Sequence, residues 1–394
     1  MLLPGPEAQQ LATYIGWLMH GLRGGLIAGT LFILPGAISI LGLSLAYALY
    51  RDSGFVQALF FGLKPAVLAI VIEAVMRIGK RVLKNRVMYS VAGVSFVARY
   101  FFDVPFPMIV LVAGLIGYWG GRAAPQIFLV LKGHGSTGGG DDISGLNMTP
   151  APASWGRSLR VSVVCLTLWF GPLLALYAWT GPQSVYLQQG VFFSKAAVVT
   201  FGGAYAVLAY VTEVAEKYGW LKSYEVPDGL AMAETTPGPL IMVVQFVAFV
   251  GAYRHADPLG PIAGGILASV VTTWVTFVPC FYWIFLGAPY IERLRGNKSL
   301  TAALSTITAA VVGVVLYLAV WMTRKTLFRD ESLYQTGPWG MIKLAVPTWS
   351  SLNWGAVSIA LVALLLTFRF KRGMVLTLSV CVLLGIGWWL WGPR

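Results

Sequence analysis

The sequence has few charged residues, and most of them are basic. Asp, Glu, Lys and Arg make up 11% of the 394 residues, whereas an average soluble domain has about 25%. Hydrophobic residues make up 57%. This composition excludes an ordinary soluble domain and predicts a protein that resides in a lipid bilayer.

Cysteine and histidine are also scarce, with three of each. Cys165, Cys280 and Cys381 lie in separate apolar segments, and the histidines form neither an HxxxH nor an HExxH pattern. No disulfide framework, metal site or cofactor is therefore expected. We interpret the cysteines as small core residues.

Long apolar stretches fill most of the chain, and most reach the roughly 17–25 residues that a membrane-spanning helix needs. They are residues 24–50, 55–78, 87–121 (two passes), 156–180, 190–212, 229–253, 259–290, 299–322, 352–369 and 372–391. The fold predicted from them is an all-α polytopic integral membrane protein with about 11–12 segments, some broken or re-entrant.

Basic residues concentrate in the short loops 77–86 and 293–298, which is the positive-inside pattern of membrane proteins. The net charge of +13 therefore does not indicate a nucleic-acid partner. Met1 is followed directly by "LLPGPE", without a basic region ahead of an apolar core, so no cleavable signal peptide is expected.

The chain contains an internal repeat. Residues 4–29 match residues 237–264. A constant offset of 235 aligns Gln10 with Gln245 and His20 with His255, and the Pro-Gly-Pro units join this register after a two-residue gap. We predict two homologous halves, 1–121 and 156–394, joined by a flexible Gly- and Ser-rich linker at 122–155. If 229–253 crosses the membrane once, segment 259–290 is the seventh membrane-spanning segment after its repeat partner 24–50. Because seven is odd, the second half is predicted to have the inverted orientation in the membrane.

Each half carries a Pro-Gly-Pro sequence inside or beside an apolar segment, at Pro4–Pro6 and Pro237–Pro239. Proline suits the first position of a helix, so each break predicts a helix that begins at membrane depth. Its free N–H groups and positive dipole end suit an anion. We expect Thr235 or Thr236 to cap the second helix.

Two such breaks in inverted halves indicate the substrate site of a transporter near the membrane midplane. The alternative is a pair of proline kinks that packing tolerates. Further donors to a bound anion are predicted from side chains and glycine backbone, namely Gln9, Gln10, Tyr14, Gly202, Gly203 and Gln245.

Phe201-Gly202-Gly203 is either another helix break or a site of close helix packing.

Lys64, just before Pro65, is a cation inside an apolar segment. It is either a functional residue or a side chain that extends to the membrane interface. His20 and His255 occupy equivalent positions, and they are either functional or simply interfacial beside Arg23 and Arg254.

Three acids embedded in hydrophobic sequence, Glu73, Glu213 and Glu234, are candidates for carrying a coupling proton. Each acid could instead pair with a base one helical turn away. Arg77 is in that position for Glu73, and Lys217 is in that position for Glu213.

Four strings resemble the chromate ion transporter family in its long two-domain form. They are "LPGPEAQQLATYIG" (3–16), "FGLKPAV" (61–67), "TFGGAYAVLAYV" (200–211) and "AMAETTPGPLIMVVQFV" (231–247). The resemblance extends over nearly the whole chain. The matching motif positions are Pro4, Gly5, Pro6, Gln10, Lys64, Phe201, Gly202, Gly203, Glu234, Thr235, Pro237, Gly238, Pro239 and Gln245.

The resemblance implies a bacterial inner-membrane protein with two inverted halves that exports chromate and confers chromate resistance. It further implies that transport draws on the proton-motive force or on anion exchange. The expected partners are chromate, sulfate as a competitor and the lipid bilayer; a homodimer is left open, and no cofactor is implied.

The chain departs from the family pattern at its start. The second half has an extra segment, 197–220, before its Pro-Gly-Pro, and the first half has no counterpart. Either the protein functions without this segment, or Met1 is an internal methionine of a longer reading frame.

Two alternatives to chromate export remain. One is a transporter or exchanger of sulfate or another tetrahedral oxyanion, because a pocket for one dianion does not easily reject an isostere. The other, more remote, is an integral-membrane enzyme, but the sequence shows no acidic dyad, metal-ligand set or nucleophile with its base.

Overall fold

A computed structural model describes residues 5–130, 154–199, 201, 203–255, 257–290, 297–336 and 342–391. Its helices are α1 (Glu7–Tyr50), α2 (Gly54–Val82), α3 (Arg86–Phe102), α4 (Phe106–Ala123), α5 (Pro125–Phe128), α6 (Trp155–Thr180), α7 (Val185–Val199), α8 (Ala204–Lys217), α9 (Val226–Thr235), α10 (Val243–Arg254), α11 (Pro261–Gly287), α12 (Lys298–Leu327), α13 (Trp354–Leu364) and α14 (Met374–Trp391). Two strands, β1 (Glu331–Thr336) and β2 (Ile342–Pro347), complete the described elements.

Among the described residues, seven helices are long and apolar enough to cross a membrane: α1, α2, α4, α6, α11, α12 and α14. The structure confirms the predicted all-α polytopic membrane protein. The segment 87–121 divides into two helices, because Asp103, which follows α3, has a left-handed φ of 52°, and α4 begins after Pro105. Two passes within this segment stay a prediction.

Helix α1 consists of two arms. His20 and Gly21 leave helical geometry with φ of −136° and +60°, and the short arm (7–19) folds back against the long arm (22–50). A Cβ atom on Gly16 would collide with Gly24, and one on Gly29 would collide with Thr13. The small residues therefore allow the two arms to pack closely.

The segment 229–253 was predicted to cross the membrane once. This prediction is wrong. Glu225 and Arg254, at its two ends, form a contact of 2.8 Å between Oε2 and Nη1. One continuous helix would separate them by about 40 Å. Helices α9 and α10 therefore form a re-entrant hairpin that returns to the face on which it began.

The segment 190–212 re-enters in the same way. The rings of Phe192 and Phe193, near the start of this segment and in the middle of α7, pack on Trp220, which follows α8, at centroid distances of 5.6 and 6.1 Å. The prediction of a crossing is wrong here too, because hydropathy reports apolar length but not chain direction. Without these two crossings, and counting only the described residues, segment 259–290 is the fifth spanning segment after 24–50 instead of the seventh. Five is also an odd number, so the count is compatible with the inverted orientation, which stays a prediction.

Helix α12 lies at the centre of the bundle, in contact with α2, α3, α4 and α8. Small residues allow this packing: a Cβ atom on Gly313 would collide with the backbone of α3, and one on Gly117 with Thr306. Cys165, Cys280 and Cys381 are free and buried, which agrees with their interpretation as core residues.

One element was not predicted. Strands β1 and β2 pair antiparallel, with Glu331 opposite Pro347 and Thr336 opposite Ile342. They follow α12, where the long apolar runs that dominate the preceding chain end. The predicted linker lies largely outside the described residues, which include only 122–130 and 154–155 of it.

The re-entrant hairpin predicts the labelling pattern of single cysteines introduced into a variant whose native cysteines are replaced by alanine. Cysteine at Asp52, Lys222 or Leu259 should react with an impermeant maleimide from one membrane face, and cysteine at Lys84 from the opposite face. Spheroplasts and inverted vesicles give access to the two faces. Labelling of positions 222 and 259 from opposite faces would contradict the re-entrant hairpin and would show that 229–253 crosses the membrane once.

Candidate functional site

The second Pro-Gly-Pro separates two helices and requires its glycine. Helix α9 ends at Thr235, Gly238 has a φ of +125°, and Pro239 precedes a helical turn at Leu240–Met242 that continues into α10. A Cβ atom on Gly238 would lie 3.0 Å from the Cα atom of Gly36. Both the positive φ and the close approach disfavour any other residue.

The first Pro-Gly-Pro has the same local geometry. Gly5 has a φ of +123°, Pro6 precedes the short arm of α1, and a Cβ atom on Gly5 would lie 2.8 Å from the Sγ atom of Cys280. Pro4 lies outside the described residues. Each break thus packs beside a proline of the other half's long helix, since Cys280 follows Pro279 and Gly36 follows Pro35.

The second break lies deep in the bundle. Gly36, which it contacts, stands fourteen residues from each end of the long arm of α1 (22–50), or about 20 Å at 1.5 Å per residue. A helix therefore begins near the middle of the membrane, as the sequence predicted.

The predicted capping of this helix by Thr235 or Thr236 is wrong. The Thr235 hydroxyl donates to the carbonyl of Met232 at 2.9 Å, and the Thr236 hydroxyl donates to the carbonyl of Ala233 at 3.2 Å. Both hydroxyls thus satisfy carbonyls at the end of α9, which a helix terminus leaves unpaired. The new helix has no side-chain cap at Pro239, so its first N–H groups have no capping side chain.

The second break is accessible despite its depth. Thr235, Pro237 and Gly238 are exposed, and irregular backbone at membrane depth persists only where protein or water covers it. We call this opening the break crevice. It is defined by these three residues, Glu234, and the neighbouring α2 side chains Glu73 and Arg77.

Two acids and a base stand in the break crevice. Glu234 accepts a hydrogen bond of 2.5 Å from the Tyr205 hydroxyl and lies within the electrostatic range of Glu73 and Arg77. Arg77 is exposed and, among the described residues, forms no ion pair within 4.0 Å. The suggested Glu73–Arg77 pair is therefore not formed, and the arginine is available to an anion.

Gln245 supports the break from behind. It is buried, its Nε2 donates to the carbonyl of Ala37 at 3.0 Å, and its Oε1 accepts from Thr273 at 3.1 Å. Both contacts tie α10 to the long helices of the two halves. The predicted role of this amide as a substrate donor stays a prediction.

The glutamines at the first break are buried as well. Gln10 lies beside Gly5 and Cys280, and Gln9 donates to the Thr13 hydroxyl at 3.0 Å. Tyr14 stacks on Trp17 at 6.1 Å between centroids. The structure thus places Gln9 and Gln10 near the first break, and Tyr14 on a ring contact further along the arm.

The Phe-Gly-Gly segment is a helix break. Helix α7 ends at Val199, α8 begins at Ala204, and Gly203 has a φ of +104° with no atom near the position of a Cβ. Close helix packing therefore does not explain this glycine; Gly202 lies outside the described residues. Phe201 packs against the core.

Lys64 neither stands free nor simply extends to the interface. Its Nζ lies 3.2 Å from Oδ1 of Asp228, and Oδ2 of the same acid accepts a 2.9 Å bond from the Tyr47 hydroxyl. Asp228 was missed in the sequence. Its setting, "VPDGLAM", is an acid within an apolar run, the same signal that selected Glu234.

Glu213 belongs to another part of the bundle. It pairs with Arg99 at 2.9 Å, and Arg99 also contacts Asp103 at 3.2 Å; the suggested partner Lys217 is not the one found. His20 lies in the turn between the arms of α1, and His255 ends α10 with Nδ1 3.0 Å from the carbonyl of Gly251. Glu213, His20 and His255 therefore do not belong to the break crevice.

Comparison with known proteins assigns the chain. The sequence profile of the family described as Chromate transporter matches residues 1–118 and 187–386. The chain belongs to this family. A "Chromate transport protein" of Pseudomonas aeruginosa is 30% identical over 340 residues, which is 84% of this chain and 71% of the relative.

Other proteins are similar to the chain over comparable lengths. The "Chromate transport protein" of Cupriavidus metallidurans is 26% identical over 329 residues, covering 83% of this chain and 71% of the relative. An uncharacterized transporter of Methanocaldococcus jannaschii is 22% identical over 324 residues, covering 81% and 71%. No solved structure matches the chain.

The geometry of the second break predicts the effect of replacing its glycine. Gly238→Ala should lower the free energy of unfolding by about 1–3 kcal/mol, because alanine rarely adopts this φ. Gly42→Ala is the matched control, since this helical glycine has no atom within 4 Å of a Cβ. It should leave the thermal unfolding temperature in detergent unchanged or slightly raised. Equal unfolding temperatures for the two variants would contradict the account.

Proposed function

We propose that this protein is a secondary transporter that carries chromate across the bacterial inner membrane through the break crevice. The observation that carries the proposal is the exposed break at mid-depth, formed by Thr235, Pro237 and Gly238. It lies near an arginine that forms no ion pair with any of the described residues. The names of the relatives support chromate as the substrate. Equivalent Pro-Gly-Pro geometry in both halves and an odd number of steps between them support an inverted repeat.

The arginine is needed on energetic grounds. A helix terminus contributes about 0.3–2 kcal/mol toward a bound anion, whereas removing a charged group from water costs far more. Arg77 supplies a charge that can form paired hydrogen bonds with an oxyanion. We propose that the anion binds between Arg77 and the N–H groups of Leu240 and Ile241.

Glu73 and Glu234 would repel a dianion while they are ionised. Proton uptake by either acid removes this repulsion and creates a hydrogen-bond donor. These acids are therefore the coupling candidates that the crevice supports, and a proton would travel with the anion or exchange against it.

Export is the proposed direction. A membrane potential that is negative inside drives an anion outward by about 2.3 kcal/mol per charge for each 100 mV, so a dianion gains about twice that amount. Export would confer chromate resistance. Sulfate, with the same shape and charge as chromate, is the proposed competitor and the alternative substrate; assembly as a homodimer stays a prediction.

Transport can be measured directly with the purified protein in proteoliposomes under an imposed potential. Chromate should leave the negatively charged side faster than from protein-free liposomes, and excess sulfate should slow it. In a chromate-sensitive host, expression should lower cellular chromate. Absence of flux from protein shown to be inserted would refute chromate transport, and sulfate flux without chromate flux would favour the alternative.

The role of Arg77 predicts a specific kinetic change. Arg77→Gln should raise the KM for chromate by about tenfold or more, since a hydrogen bond to a charged group is worth ~1.5–3 kcal/mol. Lys80→Gln is the matched control, because Lys80 is an exposed cation less than one turn further along α2. If both variants retain the original KM, the anion does not bind at this arginine.

A further inference from the structure

A cluster of charged side chains, partly or fully buried, lies at the end of the bundle opposite the break crevice. The carboxylate of Glu225, fully buried, contacts Nη1 of Arg51, and it contacts Nη1 and Nη2 of Arg254 at 2.8 and 2.5 Å. The backbone N–H of Lys222 donates to the same carboxylate at 2.8 Å. We call Arg51, Glu225 and Arg254 the arginine clamp.

The arginine clamp has more positive than negative charge. Two guanidinium groups share one carboxylate, and the other acid near Arg51 is Asp52, whose side chain is 91% exposed. The neighbouring pair Lys64–Asp228 balances itself. Among the described residues, one positive charge of the clamp is therefore without a buried counterion, although the arginine side chains are only 22% and 24% exposed.

Glu225 holds its charge in this position. Burial alone would raise the pKa of its carboxyl, but the hydrogen bonds from Arg254 and from the Lys222 N–H, together with the charges of Arg254 and Arg51, outweigh that effect and lower the pKa. The carboxylate therefore stays ionised, as an anion bound by two arginines.

The arginine clamp joins the helices that converge on the second break. Arg51 ends the long arm of α1, Glu225 precedes α9, and Arg254 ends α10. The other ends of α9 and α10 meet at Pro237–Pro239, which packs on Gly36 of α1. A path from the clamp to the break must separate these helices, and separation breaks the contacts of Glu225.

We propose that Arg51 and Arg254 form an oxyanion-binding site at the clamp end of this path, and that Glu225 occupies the site while the path is closed. A tetrahedral dianion offers oxygens to both guanidinium groups, as the carboxylate does, and it carries the two charges that match them. Binding of the dianion displaces Glu225 and opens the path. This inference rests on the proposed function as an oxyanion transporter.

Glu225→Gln tests the inference with sulfate as the probe, bound to the full-length protein in nanodiscs. Loss of the competing charge should tighten sulfate binding about tenfold or more. The gain should disappear in Glu225→Gln combined with Arg254→Gln. Glu331→Gln is the matched control, since Glu331 pairs with Lys325 at 3.1 Å outside the clamp, and it should leave sulfate affinity unchanged.

A second measurement does not depend on the folding of Glu225→Gln. With cysteine at Thr236 in a variant lacking the native cysteines, an impermeant thiol reagent added at the clamp face should react slowly. Added sulfate should accelerate the reaction, and Arg254→Gln should abolish that acceleration. Chloride at equal ionic strength is the control for screening.

The inference and the proposed function can fail separately. If the protein moves chromate, yet Glu225→Gln binds sulfate no tighter and sulfate does not speed labelling, the inference is overturned and the function stands. If the folded protein neither moves chromate nor binds sulfate in any variant, both the inference and the proposed function are refuted. Sulfate-dependent labelling that requires Arg254 supports the site.

Discussion

The rest of the structure depends on one constraint, that a backbone N–H or C=O inside a bilayer must find a partner. Continuous helices satisfy it along most of the described residues, and the helix starts that follow the positive-φ glycines Gly5, Gly203 and Gly238 do not. Such starts persist only where protein or water covers them. At the second break, the hydroxyls of Thr235 and Thr236 pair the end of one helix, and Gln245 fixes the beginning of the next.

The close packing around the breaks follows from that constraint. Gly36 and Gly238 approach each other without side chains, and Cys280 fills the corresponding position beside Gly5. Each contact joins one half of the chain to the other. The depth that makes an open helix start costly also makes it useful, because a charge interacts more strongly with an oriented N–H group in a medium of low dielectric constant.

The sequence predicted those features whose cause is local. Proline at a helix start and glycine at positive φ located the breaks, and the repeat showed that there are two related ones. The direction of the threonine hydroxyls could not be predicted, because Thr235 and Thr236 stand between two helix ends and can serve either. The re-entrant course of 190–212 and 229–253 was missed since apolar length is the same for one pass and for two half-passes.

The same distinction, between features with a local cause and features that depend on distant contacts, applies to the charged residues. Glu73 and Glu234 stood out as acids in apolar sequence, and the fold brings both to the break crevice. The partners of Lys64 and Glu213 depend on contacts between distant segments, so Asp228 and Arg99 could not be assigned from spacing. Glu225 and Arg254 lie 29 residues apart and Arg51 lies in the other half; no pattern of local sequence connects them.

The central claim is that the oxyanion binds where a helix begins at mid-depth. Anomalous diffraction at the chromium edge, from crystals of the protein grown with chromate, tests it most directly. The account predicts a chromium peak beside Leu240 and Ile241, within reach of Arg77. A peak elsewhere in the bundle, with none at this break, would contradict it.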